Sequence, residues 1–129
     1  MAEHNEIGNI GENLTRAFLM KHGFDVLETN YRGKYGEIDI VAKKDSKIRF
    51  VEVKTIKVRG VGSIGGLKVT PTDNLTQEKW HHLVISAEGY LKHRTVTHET
   101  PWQIDLACVY LDTELRQGRV VLMENIYKE

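Results

Sequence analysis

Three residues have the types and spacing to do chemistry together: Asp39, Glu52 and Lys54. Asp39 lies in Gly36-Glu37-Ile38-Asp39-Ile40-Val41, and the other two lie in Phe50-Val51-Glu52-Val53-Lys54. Both runs alternate apolar and β-branched residues with charged ones, the pattern of a half-buried strand. The polar stretch Lys43-Lys44-Asp45-Ser46-Lys47 between them suits the turn of a hairpin. Side chains two apart on a strand share a face, so Glu52 and Lys54 point the same way, about 7 Å apart. Asp39, on the partner strand, can reach the same spot. Carboxylates crowded beside apolar neighbours are costly to desolvate unless they pair or hold a cation. Oxygen donors without cysteine or a clear histidine suit Mg²⁺ or Mn²⁺ better than zinc. Such an ion accepts phosphate oxygens and acidifies water. Lys54 on the same face could orient or help deprotonate that water and stabilise transition-state charge. The chemistry that follows is metal-assisted phosphodiester hydrolysis. A structural salt-bridge ladder gives the same Glu-x-Lys spacing, and spacing alone does not separate the two.

The elements that must position these residues can be read on either side of them. Ile7 to His22 has helical periodicity, with Ile7, Ile10, Leu14, Ala17 and Phe18 on one side and Gly23 as the stop. Glu12 falls away from that stripe, near Gly8, Thr15 and Leu19. It is either a solvated glutamate or part of a glycine-rich face bordering the carboxylates. Phe24 to Thr29 reads as a strand, and Asn30 to Gly36 as a loop carrying Arg32, Lys34 and two tyrosines. Those residues could track a phosphate backbone and stack on a base, or belong to an ordinary exposed loop.

Beyond Lys54 the texture changes. Lys57, Arg59 and Lys68 occur with Gly60, Gly62, Gly65 and Gly66 and no acid before Thr70, so a flexible basic loop is expected at about 57–70. It is either a plain connector or a flap that orders on a polyanion. From Lys43 to Arg59, seven cations face only Asp45 and Glu52, which favours a polyanion-binding role. Pro71-Thr72-Asp73-Asn74 announces a second helix to about Lys92, with Trp80, Leu83, Val84, Ala87, Tyr90 and Leu91 on its apolar side. Gln77, Lys79, His81 and His82 crowd its first turns. Adjacent histidines point about 100° apart and make a poor zinc pair. Gln103 to Leu111 reads as a buried strand holding Cys108, with Asp105 as a cap or loop anchor. Arg119 to Ile126 reads as the last strand. The order αβββαββ predicts an α/β fold, a mixed central sheet flanked by helices.

The chain has 129 residues, 40% hydrophobic and 28% charged, which fits one globular domain spanning 1–129. Its formal net charge of zero argues against a surface that grips nucleic acid everywhere and leaves a local patch open. A lone cysteine rules out a disulfide framework and fits a reducing cytoplasm. The polar start Met-Ala-Glu-His-Asn-Glu predicts no signal peptide, and no apolar run approaches the ~20 residues of a membrane span. A cytoplasmic location with no membrane contact is the expectation.

Gly-Glu-Ile-Asp-Ile, followed by Val-Glu-Val-Lys with thirteen residues from Asp39 to Glu52, resembles the PD-(D/E)XK nuclease superfamily. Within it, the chain is most similar to the YraN-like family, whose members look like archaeal Holliday-junction resolvases. The resemblance runs from about Ile7 to Asp105 and includes Gly11-Glu12, Gly23 and Asn30. It implies a restriction-endonuclease-like core, with Asp39, Glu52 and the Val53 carbonyl as metal ligands and Lys54 as catalytic lysine. Glu12 corresponds to a helix-borne acid completing the site, and Gln77 to a polar residue of the second helix near it. Ile38 replaces the proline of the superfamily's name, and Lys57 stands in for an arginine that usually follows the lysine. Gln103 takes the place of an arginine common at the head of the late strand.

The function expected is therefore that of a Mg²⁺-dependent DNA endonuclease, with Mn²⁺ able to substitute and with branched or single-strand-containing DNA as the candidate substrate. Arg32, Lys34, Lys57, Arg59, Lys68 and Gln77 are its candidate substrate contacts. The alternatives are a nucleic-acid-binding accessory protein in DNA processing that has lost turnover, and a protein-binding module using Trp102 and the last strand. A homodimer would suit symmetric cutting of two strands.

Overall fold

The computed structural model describes residues 2–60 and 76–126. Its elements run α1 (Ala2–Lys21), β1 (Asp25–Gly33), β2 (Gly36–Lys44), β3 (Lys47–Lys57), α2 (Gln77–His93), β4 (Trp102–Asp112) and β5 (Gln117–Met123). The strands form one five-stranded sheet in the order β1-β2-β3-β4-β5. All neighbours are antiparallel except β3 and β4, which run parallel because α2 lies in the crossover between them. This is the mixed α/β sheet in the order αβββαββ that the sequence predicts. Residues 61–70 of the expected basic loop, with Lys68, lie outside the described residues, as does Pro71 to Asn74.

The local chemistry explains most boundaries. Gly23 closes α1 with φ +84°, while its N–H and that of Phe24 donate to the Met20 and Leu19 carbonyls, a Schellman ending. Asp45 and Ser46 join β2 to β3 with φ of 52° and 64°, the left-handed pair that a two-residue hairpin turn requires. Thr76 caps α2, its hydroxyl accepting the Lys79 N–H at 3.2 Å.

The expected loop at 30–36 is instead paired strand. Tyr31↔Ile38, Arg32↔Glu37 and Gly33↔Gly36 are in register, leaving only Lys34 and Tyr35 at the tip. Hydrogen-bonding to β2 outweighs the polar composition that suggested a loop. Helix α1 also departs from expectation, since it begins at Ala2 and turns a different side to the sheet. Gly11, Thr15 and Leu19 are buried, while Ile10 and Ala17 of the expected apolar stripe are exposed. The small residues let the helix lie close on the strands, and Thr15 satisfies its buried hydroxyl by donating to the Gly11 carbonyl at 2.8 Å.

Each face of the sheet carries its own core. Leu19, Phe24, Ile40, Ala42, Val51 and Ala107 pack on the α1 side. Tyr31, Ile38, Val41, Phe50, Ala87, Tyr90 and Ile104 pack on the α2 side. Asp105 anchors the edge of this frame, fully buried and accepting from Arg49 Nε at 2.8 Å, Gln103 Nε2 at 2.6 Å and the Asn125 N–H at 2.8 Å. Of the sequence alternatives, the anchor is the one its surroundings describe. Cys108 is buried, and its thiol is pushed up to about 12 by that burial. Among the described residues, no helix is long and apolar enough to cross a membrane.

Candidate active site

The β2–β3 ladder runs from Lys44↔Lys47 to Ile40↔Val51 and stops there. At the next position the Asp39 side chain takes over: its Oδ2 accepts the Val53 N–H at 2.8 Å. A carboxylate thus stands where a main-chain carbonyl would continue the ladder. Strand alternation slips at the same place, for Ile38 and Val41 pack in one cluster although strict alternation would put them on opposite faces. The site is built on this interruption.

Glu52 and Lys54 follow on β3 and line the same cavity, as their shared strand face predicts. The Glu52 carboxyl is pushed up to about 9, first by burial and then by the negative charge of Asp39, with which it also shares a hydrogen bond. Lys54 pulls it back, and Glu12 pushes it further up. Glu12 is itself raised by burial and by Asp39. The three acids and the lysine therefore occupy one electrostatic neighbourhood, reached from α1, β2 and β3.

Two residues bring Glu12 there. Gly11 lies so close to β3 that a Cβ on it would fall on Thr55 Oγ1, so α1 can seat at this depth only with glycine. Asn30 in β1 has φ 53°, a conformation asparagine tolerates better than most residues. Its amide, turned nitrogen-first, donates to both Glu12 carboxylate oxygens at 3.2 Å. That contact lowers the Glu12 carboxyl against the two larger effects.

The α2 wall adds residues that no single motif marks. Lys79, His82, Leu83 and Ser86 line the cavity above Glu52 and Lys54, at the i, i+3, i+4, i+7 spacing of one helix face. That signal becomes usable only once the helix start and its docking are fixed. Gln77 is exposed and does not line the cavity, since two residues at ~100° each turn it about 160° from Lys79. Tyr35 and Gly36 at the β1–β2 turn form the facing wall, and Leu106 the floor; the cavity measures about 310 Å³. Gly36 has φ +146°, and a Cβ there would come within 2.6 Å of Ser86 Oγ.

The candidate cations scatter around this centre. Arg32 pairs with Glu37 at 3.3 Å on an exposed stretch of β1, and the Lys34 ammonium lies 5.5 Å from the Tyr35 ring centroid. Both border a second hollow on the far side of Tyr35. Lys57 is exposed at the end of β3. Arg59 lies beyond it, near Asp112, whose carboxylate accepts the N–H groups of Gly60, Glu114 and Leu115 and is thereby held low. His81 is exposed on α2 and does not line the cavity.

Among the described residues, no three His, Cys, Asp or Glu side chains form a ready-made metal cage. The donors nevertheless fit a hard divalent cation of the Mg²⁺ type, which takes one or two carboxylates and keeps water for the rest. A Glu52 carboxyl whose ionisation is opposed by burial and by the Asp39 charge is what such an ion would relieve.

Residues 11–109, which span all four of these side chains, match the model of the uncharacterised protein family UPF0102. The chain is 32% identical to a UPF0102 protein of Caldicellulosiruptor bescii, over 95% of this chain and 97% of that relative. It is 40% identical to one of Dictyoglomus turgidum, over 70% and 71% of the two chains. A third, from Dehalococcoides mccartyi, is 33% identical over 96% and 94%.

Proposed function

This chain belongs to the UPF0102 family, and on that premise we propose that it is a Mg²⁺-dependent endonuclease of the PD-(D/E)XK type, hydrolysing phosphodiester bonds of branched or single-strand-containing DNA in the cytoplasm. The observation that carries the proposal is the Asp39 carboxylate fixed to the Val53 N–H, beside a Glu52 carboxyl whose ionisation it opposes. An ordinary surface salt-bridge ladder has no reason to hold two half-buried acids against each other at the end of a broken strand pairing.

In this reading Asp39 and Glu52 hold the ion, with the Val53 carbonyl and Glu12 available to it. A divalent ion held there would supply Lewis-acid polarisation of the phosphoryl group and would offset charge on the leaving oxygen. Lys54 orients the attacking water and opposes negative charge developing on the phosphate. Asn30 holds Glu12 in place, acting through it rather than on the substrate. Arg32, Lys34 and Lys57 offer backbone contacts at the rim.

The accessory-protein reading draws on the lack of a three-ligand cage among the described residues and on the neutral net charge. Cleavage of labelled duplex, single-stranded, flap, splayed-arm and four-way-junction DNA, in EDTA, Mg²⁺ or Mn²⁺, separates the two. Metal-dependent cutting that disappears in Asp39→Ala and Lys54→Ala supports the enzyme. Binding to the same panel with no cutting under any metal would move the assignment to the accessory protein.

A further inference from the structure

The cavity between α2 and the β1–β2 turn shares Glu52 with the proposed metal site and extends away from it along α2. Its floor is Glu52, Lys54 and the buried Leu106, and one wall is the Lys79–His82–Ser86 face of α2. Tyr35, 56% exposed at the tip of the β1–β2 hairpin, also lines it, and its ring edge reaches toward Gly89 of α2. At about 310 Å³ it is at the small end of ligand pockets. A stacked base pair has no way into such a recess, whereas one unpaired or extruded base does.

The lining is that of a base site rather than a phosphate groove. Tyr35 and two leucines offer flat and apolar surface, Ser86 and His82 offer hydrogen-bonding groups, and Lys54 and Lys79 balance the charge of Glu37 and Glu52. We infer that this cavity is a subsite for one unpaired nucleotide, its base against Tyr35 and Leu83 and its phosphate passing between Lys54 and Lys79 toward the acids. The inference rests on the nuclease reading for the identity of the ligand. It gives that reading a physical source of selectivity: a strand segment with at least one unpaired base next to the bond to be cut.

Fluorescence anisotropy tests it without cutting. A short labelled thymidine oligonucleotide is compared, in EDTA and low salt, with an oligomer of the same phosphate count whose sugars carry no bases. The base-bearing strand should bind on the order of tenfold more tightly, the scale of one base stacked on an aromatic side chain. Tyr35→Ala should bring it down to the abasic level, and Tyr35→Phe should keep the difference. His82→Ala, also at an exposed position, should narrow the gap independently of Tyr35. Equal affinities for the two oligomers, or no binding of either, would overturn the inference even if metal-dependent cutting were found. A base preference present without any metal-dependent cutting would remove the nuclease reading and leave the pocket standing.

Discussion

At the scale of the residue, the acid cluster is a source of instability that the fold tolerates. Glu52 keeps its proton up to about 9 in the folded chain and releases it near the ordinary carboxyl range when unfolded. Between those limits the folded state binds more protons than the unfolded one, so stability falls as pH rises. Glu12 is shifted in the same direction and adds to the trend. Thermal melts in EDTA should therefore show a melting temperature declining from about pH 5 towards pH 9. Glu52→Gln, which keeps the shape and cannot ionise, should flatten that decline and melt several degrees higher at pH 8; parallel curves for parent and variant would contradict the buried-pair account. Asp39 and Glu52 are visible in the sequence as two acids on alternating strands. Their half-buried closeness is not, because it depends on the ladder stopping at Ile40↔Val51.

At the scale of the element, α1 is positioned by an absent side chain. Replacing glycine by alanine inside a helix ordinarily gains about 1 kcal/mol. Here the new Cβ would meet Thr55 Oγ1, and overpacking of this kind costs about 1–3 kcal/mol. The contact outweighs the propensity, so Gly11→Ala should destabilise the protein in urea melts and lift Glu12 from its neighbours. Pairing it with Thr55→Ala should recover most of the loss, and a stabilised single variant would show that α1 sits less deeply. The β4 anchor makes a second comparison. Asp105→Ala leaves Arg49 buried without its inner partner and should cost about 3–5 kcal/mol. Glu124→Ala removes the outer, more exposed partner of the same arginine and should cost under about 1 kcal/mol. Similar losses in both would mean the network is held from outside. The hydrophobic period announced α1 but misplaced its buried side, since helical spacing counts apolar residues and close helix–sheet packing selects small ones. A polar 30–36 segment likewise reads as loop until β2 supplies its register.

At the scale of the whole molecule, the site joins α1, β2, β3 and α2, so any ion bound there would be linked to global stability. If the acids hold Mg²⁺, the ion should raise the melting temperature by mass action, about 2.7 kcal/mol at a free concentration roughly one hundred times Kd. The gain should be larger at pH 8 than at pH 6, because below about 9 the ion must displace the proton on Glu52. EDTA should reverse it, and Asp39→Ala should abolish it. A pH-independent gain would place the ion elsewhere. The order αβββαββ, a hairpin turn somewhere within Lys43–Lys47, the helix stop at Gly23 and the candidacy of Asp39, Glu52 and Lys54 were legible in the sequence. Each of those follows from side-chain type and local period, which act over a few residues. That Glu12 reaches the same acids from α1, that Asp105 is an anchor, and that Lys79 and His82 line the site while Gln77 does not emerged from the packed fold. Those outcomes depend on the depth and rotation at which helices dock on a twisted sheet, set by packing between residues far apart in the chain.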